Sequence, residues 1–201
     1  MLAQHIEEEI TALAACYGAP RRINVTLTGA PFRPISSDDR IGEVCMVVRR
    51  TNGKLITAVK TFYPPGAFRL LTGGIDHGEA VEAALLREIA EETGLEVAVR
   101  RFLAVIEYTL AEADKAAGAN PSFATFAFLV DEIGGTFGVV DEDEQIGAFR
   151  EIDVEELPAL ADTLASVADG YHPEIDGSWA DWGRFRAVVQ RSVYDALVDA
   201  D

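Results

Sequence analysis

Hydrophobic positions change period several times along the chain, and each change marks an element. Leu2, Ile6, Ile10, Leu13 and Tyr17 recur at steps of three and four, so the first segment reads as a helix ended by Gly18 and Pro20. Residues 22–29, RINVTLTG, suit a short strand, and 30–40 read as a loop. EVCMVVRR then runs through Thr51-Asn52-Gly53-Lys54 into LITAVKTFY. The Asn-Gly pair supplies the positive backbone angles of a tight hairpin turn. YPPGAFRLL turns the chain into another short strand, ending at Thr72.

A helix-period stretch follows within GGIDHGEAVEAALLREIAEETGL, residues 73–95. The β-branched and aromatic runs EVAVRRFLAVIEYTL and FATFAFLV read as strands, separated by a loop at 111–122. Asp153 and Glu156 have the spacing of a capping box that opens a helix towards residue 168. The last helix begins near Trp182 and keeps Trp182, Phe185, Val189, Val193 and Ala196 on one face. Strands, one helix, more strands and then helices predict an α+β or mixed α/β layer fold.

Composition changes this picture in one respect. A chain of 201 residues with 49% hydrophobic and 25% charged residues is ordinary for a soluble domain, but its net charge of -17 is not. Such acidity repels phosphate backbones and anionic membranes, so neither long nucleic acid nor a membrane is an expected partner. The start, MLAQHIEEEI, has no basic segment followed by an apolar one, and no apolar run has the length of a membrane span. Cys16 and Cys45 sit in apolar runs without metal-type spacing and read as reduced core thiols of a cytoplasmic protein.

The candidate chemistry lies in residues 73–95, where Asp76, Glu79, Glu82, Glu88, Glu91 and Glu92 collect. At about 100° per residue, Glu88, Glu91 and Glu92 share one arc with Val81, Ala84 and Leu85, while Ala83 and Ala90 lie opposite. A solvated helix separates its charges from its apolar stripe; here the glutamates interrupt the stripe. Like charges at i,i+3 and i,i+4 repel, and a hard cation such as Mg²⁺ or Mn²⁺ would resolve that repulsion. An acidic surface helix with no ligand is the alternative from periodicity alone.

The spacing Gly73, Glu79, Arg87-Glu88-Ile89, Glu91-Glu92, Gly94-Leu95 resembles the Nudix box, the signature of the (MutT-like) Nudix hydrolase family. The resemblance implies a Nudix-type α/β/α sandwich with a mixed sheet, bearing N- and C-terminal helical extensions. It covers the hydrolase domain at 42–168, and leaves outside it an N-terminal helix and strand extension at 1–41 and a C-terminal helical extension at 169–201. It also implies that Glu88, Glu91, Glu92 and the Gly73 carbonyl hold Mg²⁺ or Mn²⁺, that Arg87 orients a carboxylate, and that Glu79 assists from the loop. Gly94 would give the helix a left-handed ending. A further glutamate beyond the box serves the family as base; Glu142 and Glu144 are the candidates, with Glu144 preferred. Arg69 would meet a phosphate, and Tyr63 and Phe68 a base.

The implied activity is metal-dependent cleavage of a nucleoside diphosphate linked to a group X, such as ADP-ribose, a nucleotide sugar or a nucleoside triphosphate. Two alternatives share the fold: a ligand-sensing module without catalysis, and an isopentenyl-diphosphate isomerase using Cys45. Thr72 departs from the family by replacing a glycine before the box. His77 reads as non-ligating, Trp179 and Trp182 as anchors of the last helix, and the terminal helices as a homodimer contact or a lid.

Overall fold

The computed structural model describes residues 2–29, 32, 35, 40–111 and 123–199, apart from the side chains of Leu110 and Glu142. The loops expected at 30–40 and 111–122 fall mostly outside these residues. Helix α1 (Gln4–Tyr17) leads into β1 (Arg21–Leu27), β2 (Arg40–Arg49), β3 (Leu55–Lys60) and β4 (Arg69–Asp76). Helix α2 (Val81–Thr93) follows, then β5 (Leu95–Leu110), β6 (Phe123–Gly135) and β7 (Ile146–Ile152). Helix α3 (Leu157–Ala165), a small hairpin of β8 (Tyr171–His172) and β9 (Gly177–Ser178), and α4 (Trp179–Val198) complete the described chain.

Seven strands form one mixed sheet in the order β1-β5-β6-β2-β4-β3-β7. Strand β1 runs parallel to β5, with Arg21 opposite Ala104, and β2 runs parallel to β6, with Glu43 opposite Thr125. The alternation of β2 divides the core between two layers. Val44, Met46 and Val48 face α1 and α2, whereas Cys45 and Val47 face α3 and α4. The architecture is therefore a mixed α/β sandwich with helices on both faces of the sheet. The expected N-terminal strand is no appendage, because β1 hydrogen-bonds along the length of Ala104–Leu110.

Several local expectations hold. The capping box of Asp153 and Glu156 is present, opening a 3-10 turn that runs into α3. The apolar face proposed for the last helix is buried from Trp182 to Ala196. Two expectations need correction. Cys16 is exposed rather than a core thiol, since α1 buries only Ile6, Ile10 and Leu13. Strand β4 does not end at Thr72 but continues through Gly73 and Gly74 to Asp76, pairing with Val44 and Glu43. Two successive glycines read as a turn, yet here they are strand residues that leave room for side chains from elsewhere.

Candidate active site

Helix α2 buries Val81, Ala84, Leu85, Glu88, Ile89 and Glu92, while Ala83 and Ala90 point to solvent. Its acidic arc thus faces the sheet. Room for it comes from Gly73: a Cβ there would lie 2.0 Å from the Glu88 Cδ. The strand is bare at the point where the carboxylate lies against it. At the far end Gly94 adopts φ +67°, closes the helix with its N–H on the Ala90 carbonyl, and lets β5 begin at once.

Arg87 binds much of the acidic cluster. Its Nε and Nη2 each donate to Glu79 at 2.8 Å, and its Nη1 donates to Glu88 and Glu91 at 3.0 Å. Its Nη2 also reaches the Gly74 carbonyl at 3.0 Å, tying the helix to β4. These bonds hold the Glu79 carboxyl below the usual range and raise Arg87. The expected grouping of Glu88, Glu91 and Glu92 as one set is only partly drawn. Glu91 is half-exposed and turned into Arg87, and no three acidic, histidine or cysteine groups among the described residues form a ligand cluster.

Glu92 is the odd member. It is 2% exposed, and among the described residues no hydrogen bond or ion pair reaches its carboxylate. Burial pushes its pKa up to about 8, against the pull of the nearby Arg69 and Lys60 and with the push of Glu144 and Glu88. Burial also raises Glu88, although Arg87 opposes the shift. Glu144 lies in a 3-10 turn, Glu142–Glu144, and accepts a bond from Lys60 Nζ at 3.1 Å. The next residue, Gln145, has φ +53° and accepts the Thr61 N–H, so the strand edge fixes this turn. The structure therefore brings Glu144 to Glu88 and Glu92, whereas the Glu142 side chain lies outside the described residues.

Arg69 is 4% exposed, not a surface charge. Its Nε donates to the Tyr63 hydroxyl at 3.0 Å, and its Nη1 donates to the Leu70 carbonyl and Thr72 Oγ1. Burial opposes its charge, but Tyr63, Glu92 and Glu43 together keep it firmly protonated. Thr72, in place of the family's glycine, thus becomes an anchor for Arg69. Tyr63 packs edge-on to Trp182 and Trp179, which fix α4 to this loop. Phe68 packs against the α3/α4 core. Lys60 was missed in the sequence; the only signal was its place at the end of a strand entering the hairpin's far side. Cys45 is wholly buried with its thiol pushed up to about 12, chiefly by burial, which disfavours the thiolate an isomerase would need.

The sequence model of the NUDIX domain matches residues 39–174. The chain belongs to the Nudix family. An ADP-ribose pyrophosphatase of Methanocaldococcus jannaschii is 32% identical over 115 residues, covering 57% of this chain and 63% of that one. A protein of Vibrio atlanticus named NAD-capped RNA hydrolase NudC is 28% identical over 122 residues, covering 61% of this chain and 41% of its own length. The chain thus spans less than two thirds of these relatives. Among solved structures, a NUDIX hydrolase from Nitrosomonas europaea matches at TM-score 0.47 and 15% identity, covering 76% of this chain and 88% of that one. An ADP-ribose pyrophosphatase from Streptococcus suis matches at TM-score 0.47 and 16% identity, covering 80% and 93%.

Proposed function

We propose that this Nudix chain is a divalent-metal-dependent pyrophosphohydrolase that splits a small nucleoside diphosphate derivative into a nucleoside monophosphate and a phosphorylated X. The observation that carries the reading is the buried Glu92 carboxylate, to which no hydrogen bond or ion pair runs among the described residues, set near Glu88 and Glu144. A buried carboxylate without a partner is costly, and an all-oxygen donor set suits Mg²⁺ or Mn²⁺. The residues present fit such an ion: Glu88, Glu91 and Glu92 would hold it, together with the Gly73 carbonyl. The ion would supply charge neutralisation on the phosphate oxygens and acidify the attacking water.

The chain's own groups do the rest. Arg87 keeps Glu79, Glu88 and Glu91 in one orientation. Glu144, held by Lys60, accepts a proton from water as its oxygen bonds to phosphorus. The phosphoanhydride P–O bond breaks, and the leaving phosphate keeps the electron pair. Arg69 supports this as the buried positive charge beside Glu92. Residues 42–168 form the catalytic unit in this reading, with 1–41 and 169–201 completing the layers around it.

ADP-ribose is the favoured substrate, supported by the similarity to the archaeal ADP-ribose pyrophosphatase. A net charge of -17 weighs against capped RNA. The unpaired thiols agree with a cytoplasmic setting. Incubating the protein with ADP-ribose, nucleotide sugars, nucleoside triphosphates and NAD-capped RNA, each with Mg²⁺ or Mn²⁺, and following ³¹P resonances tests the reading. Release of a monophosphate from one of the small nucleotides is expected. No turnover across the panel would favour the ligand-sensing alternative.

A further inference from the structure

Two opposite charges are buried near one another at the carboxylate site and do not join. Glu92 and Arg69 are both almost wholly buried, and Arg69 acts on the Glu92 charge more strongly than Lys60 does. Yet no hydrogen bond or ion pair links the two among the described residues. Away from water, opposite charges attract strongly and ordinarily close to contact. Something must hold this pair apart.

The guanidinium is held by neutral acceptors. Its Nε donates to the Tyr63 hydroxyl at 3.0 Å, and its Nη1 donates to the Leu70 carbonyl at 2.9 Å and to Thr72 Oγ1 at 3.0 Å. The Tyr63 ring centre lies 5.5 Å from the guanidinium carbon and 4.7 Å from the Trp182 ring, so α4 fixes this acceptor. Thr72 is fixed by β4, where it pairs with Cys45. The glycine usual at that place in the family has no hydroxyl to offer. Lys60 is engaged in its turn, by Glu144 at 3.1 Å. Both cations near Glu92 are thus occupied by other groups.

We propose that the Tyr63 hydroxyl, the Leu70 carbonyl and the Thr72 hydroxyl form a clamp that keeps Arg69 off Glu92, so that this carboxylate stays open to a divalent cation. The inference rests on reading Glu92 as a metal ligand. Tyr63 and Thr72 are positioning residues here, since they act through Arg69. Without them the guanidinium closes on Glu92 and competes with the ion for the same oxygens.

The test uses the full chain carrying Tyr63→Phe and Thr72→Val, which leaves Arg69 the Leu70 carbonyl alone. Mn²⁺ binding in the absence of nucleotide, followed by the electron paramagnetic resonance of the free ion, should weaken about tenfold relative to wild type. Thr72→Ser alone keeps the hydroxyl and should bind as wild type does. In chelator, Glu92→Gln should raise the melting temperature of wild type and lower that of the double variant, because only there does it break an Arg69–Glu92 pair. A loop merely loosened by the two substitutions would not reverse that sign. Where wild type binds Mn²⁺, equal affinity in the double variant overturns the clamp and leaves the metal reading standing. Where wild type binds none, the metal reading falls and the melting comparison decides the clamp: Glu92→Gln shifts of the same sign in both proteins overturn it.

Discussion

On the α3/α4 face of the sheet, Glu43 receives two bonds from Arg186 and one from Thr125 Oγ1 at 2.9 Å. On the α1/α2 face, Glu92 is equally buried and meets no donor among the described residues. Both are glutamates at 2% exposure, so burial alone does not separate them. The difference is the counter-charge. Where the protein supplies it, the carboxylate joins two distant parts of the chain, 143 residues apart. Where Arg69 and Lys60 stand nearby without bonding to it, the carboxylate keeps a raised pKa and an open claim on a cation.

The largest effect should come from breaking the matched pair. Glu43→Gln leaves Arg186 without its anion and should cost about 3–5 kcal/mol of unfolding free energy, read by urea denaturation. A loss within error would mean that Glu43 contributes nothing the neutral amide cannot. Next, Glu92→Gln should lower turnover by about 100-fold or more while the fold survives, because a ligand is removed from an unchanged helix. Turnover like that of wild type in this variant would sink the site assignment. Gly73→Ala follows. Its methyl would occupy the Glu88 carboxyl position, so a loss of about 1–3 kcal/mol and a displaced Glu88 are expected, measurable by melting and by Mn²⁺ titration.

The pH dependence is the most diagnostic contrast. In the folded protein Glu92 has its pKa raised from an ordinary 4.5 to about 8. Its ionisation therefore costs the folded state stability, none of it below pH 4.5 and all of it above pH 8. In chelator, Glu92→Gln should melt above wild type, with a gap that opens between those pH values and then stays constant. Glu43→Gln should melt below wild type at the same pH. Shifts of the same sign for the two substitutions would erase the contrast between the faces.

Local signals made much of this legible. The Asn52-Gly53 hairpin, the capping box at Asp153, the helical arc of Glu88 and Glu92 and the apolar face of α4 each depend on residues within a few positions of one another. Glu144 stands out with Glu142 because the family draws a further glutamate from a loop beyond the box, and its distance from Phe149 gives it the preference. What stayed hidden depends on pairing across the chain. Glu43 reads as a polar residue at the start of a strand, and nothing nearby announces Arg186. Arg69 reads as a phosphate contact, and its burial stays hidden because Tyr63 and Thr72 enclose it only once β4 is folded. Cys16 misled because it borders an apolar stripe that in fact turns its other side to the sheet.

The parallel pairing of β1 with β5 has a consequence for how the molecule is made. A ribosome adding roughly 5–20 residues per second delivers β1 several seconds before residues 104–110 exist to receive it. Strand β2 waits likewise for β6, its parallel neighbour at the middle of the sheet. During that interval the early half holds two strands with unfilled edges, each able to join a wrong partner, its own or a neighbouring chain's. Slow, chaperone-sensitive maturation follows from this order of synthesis, whatever the final stability.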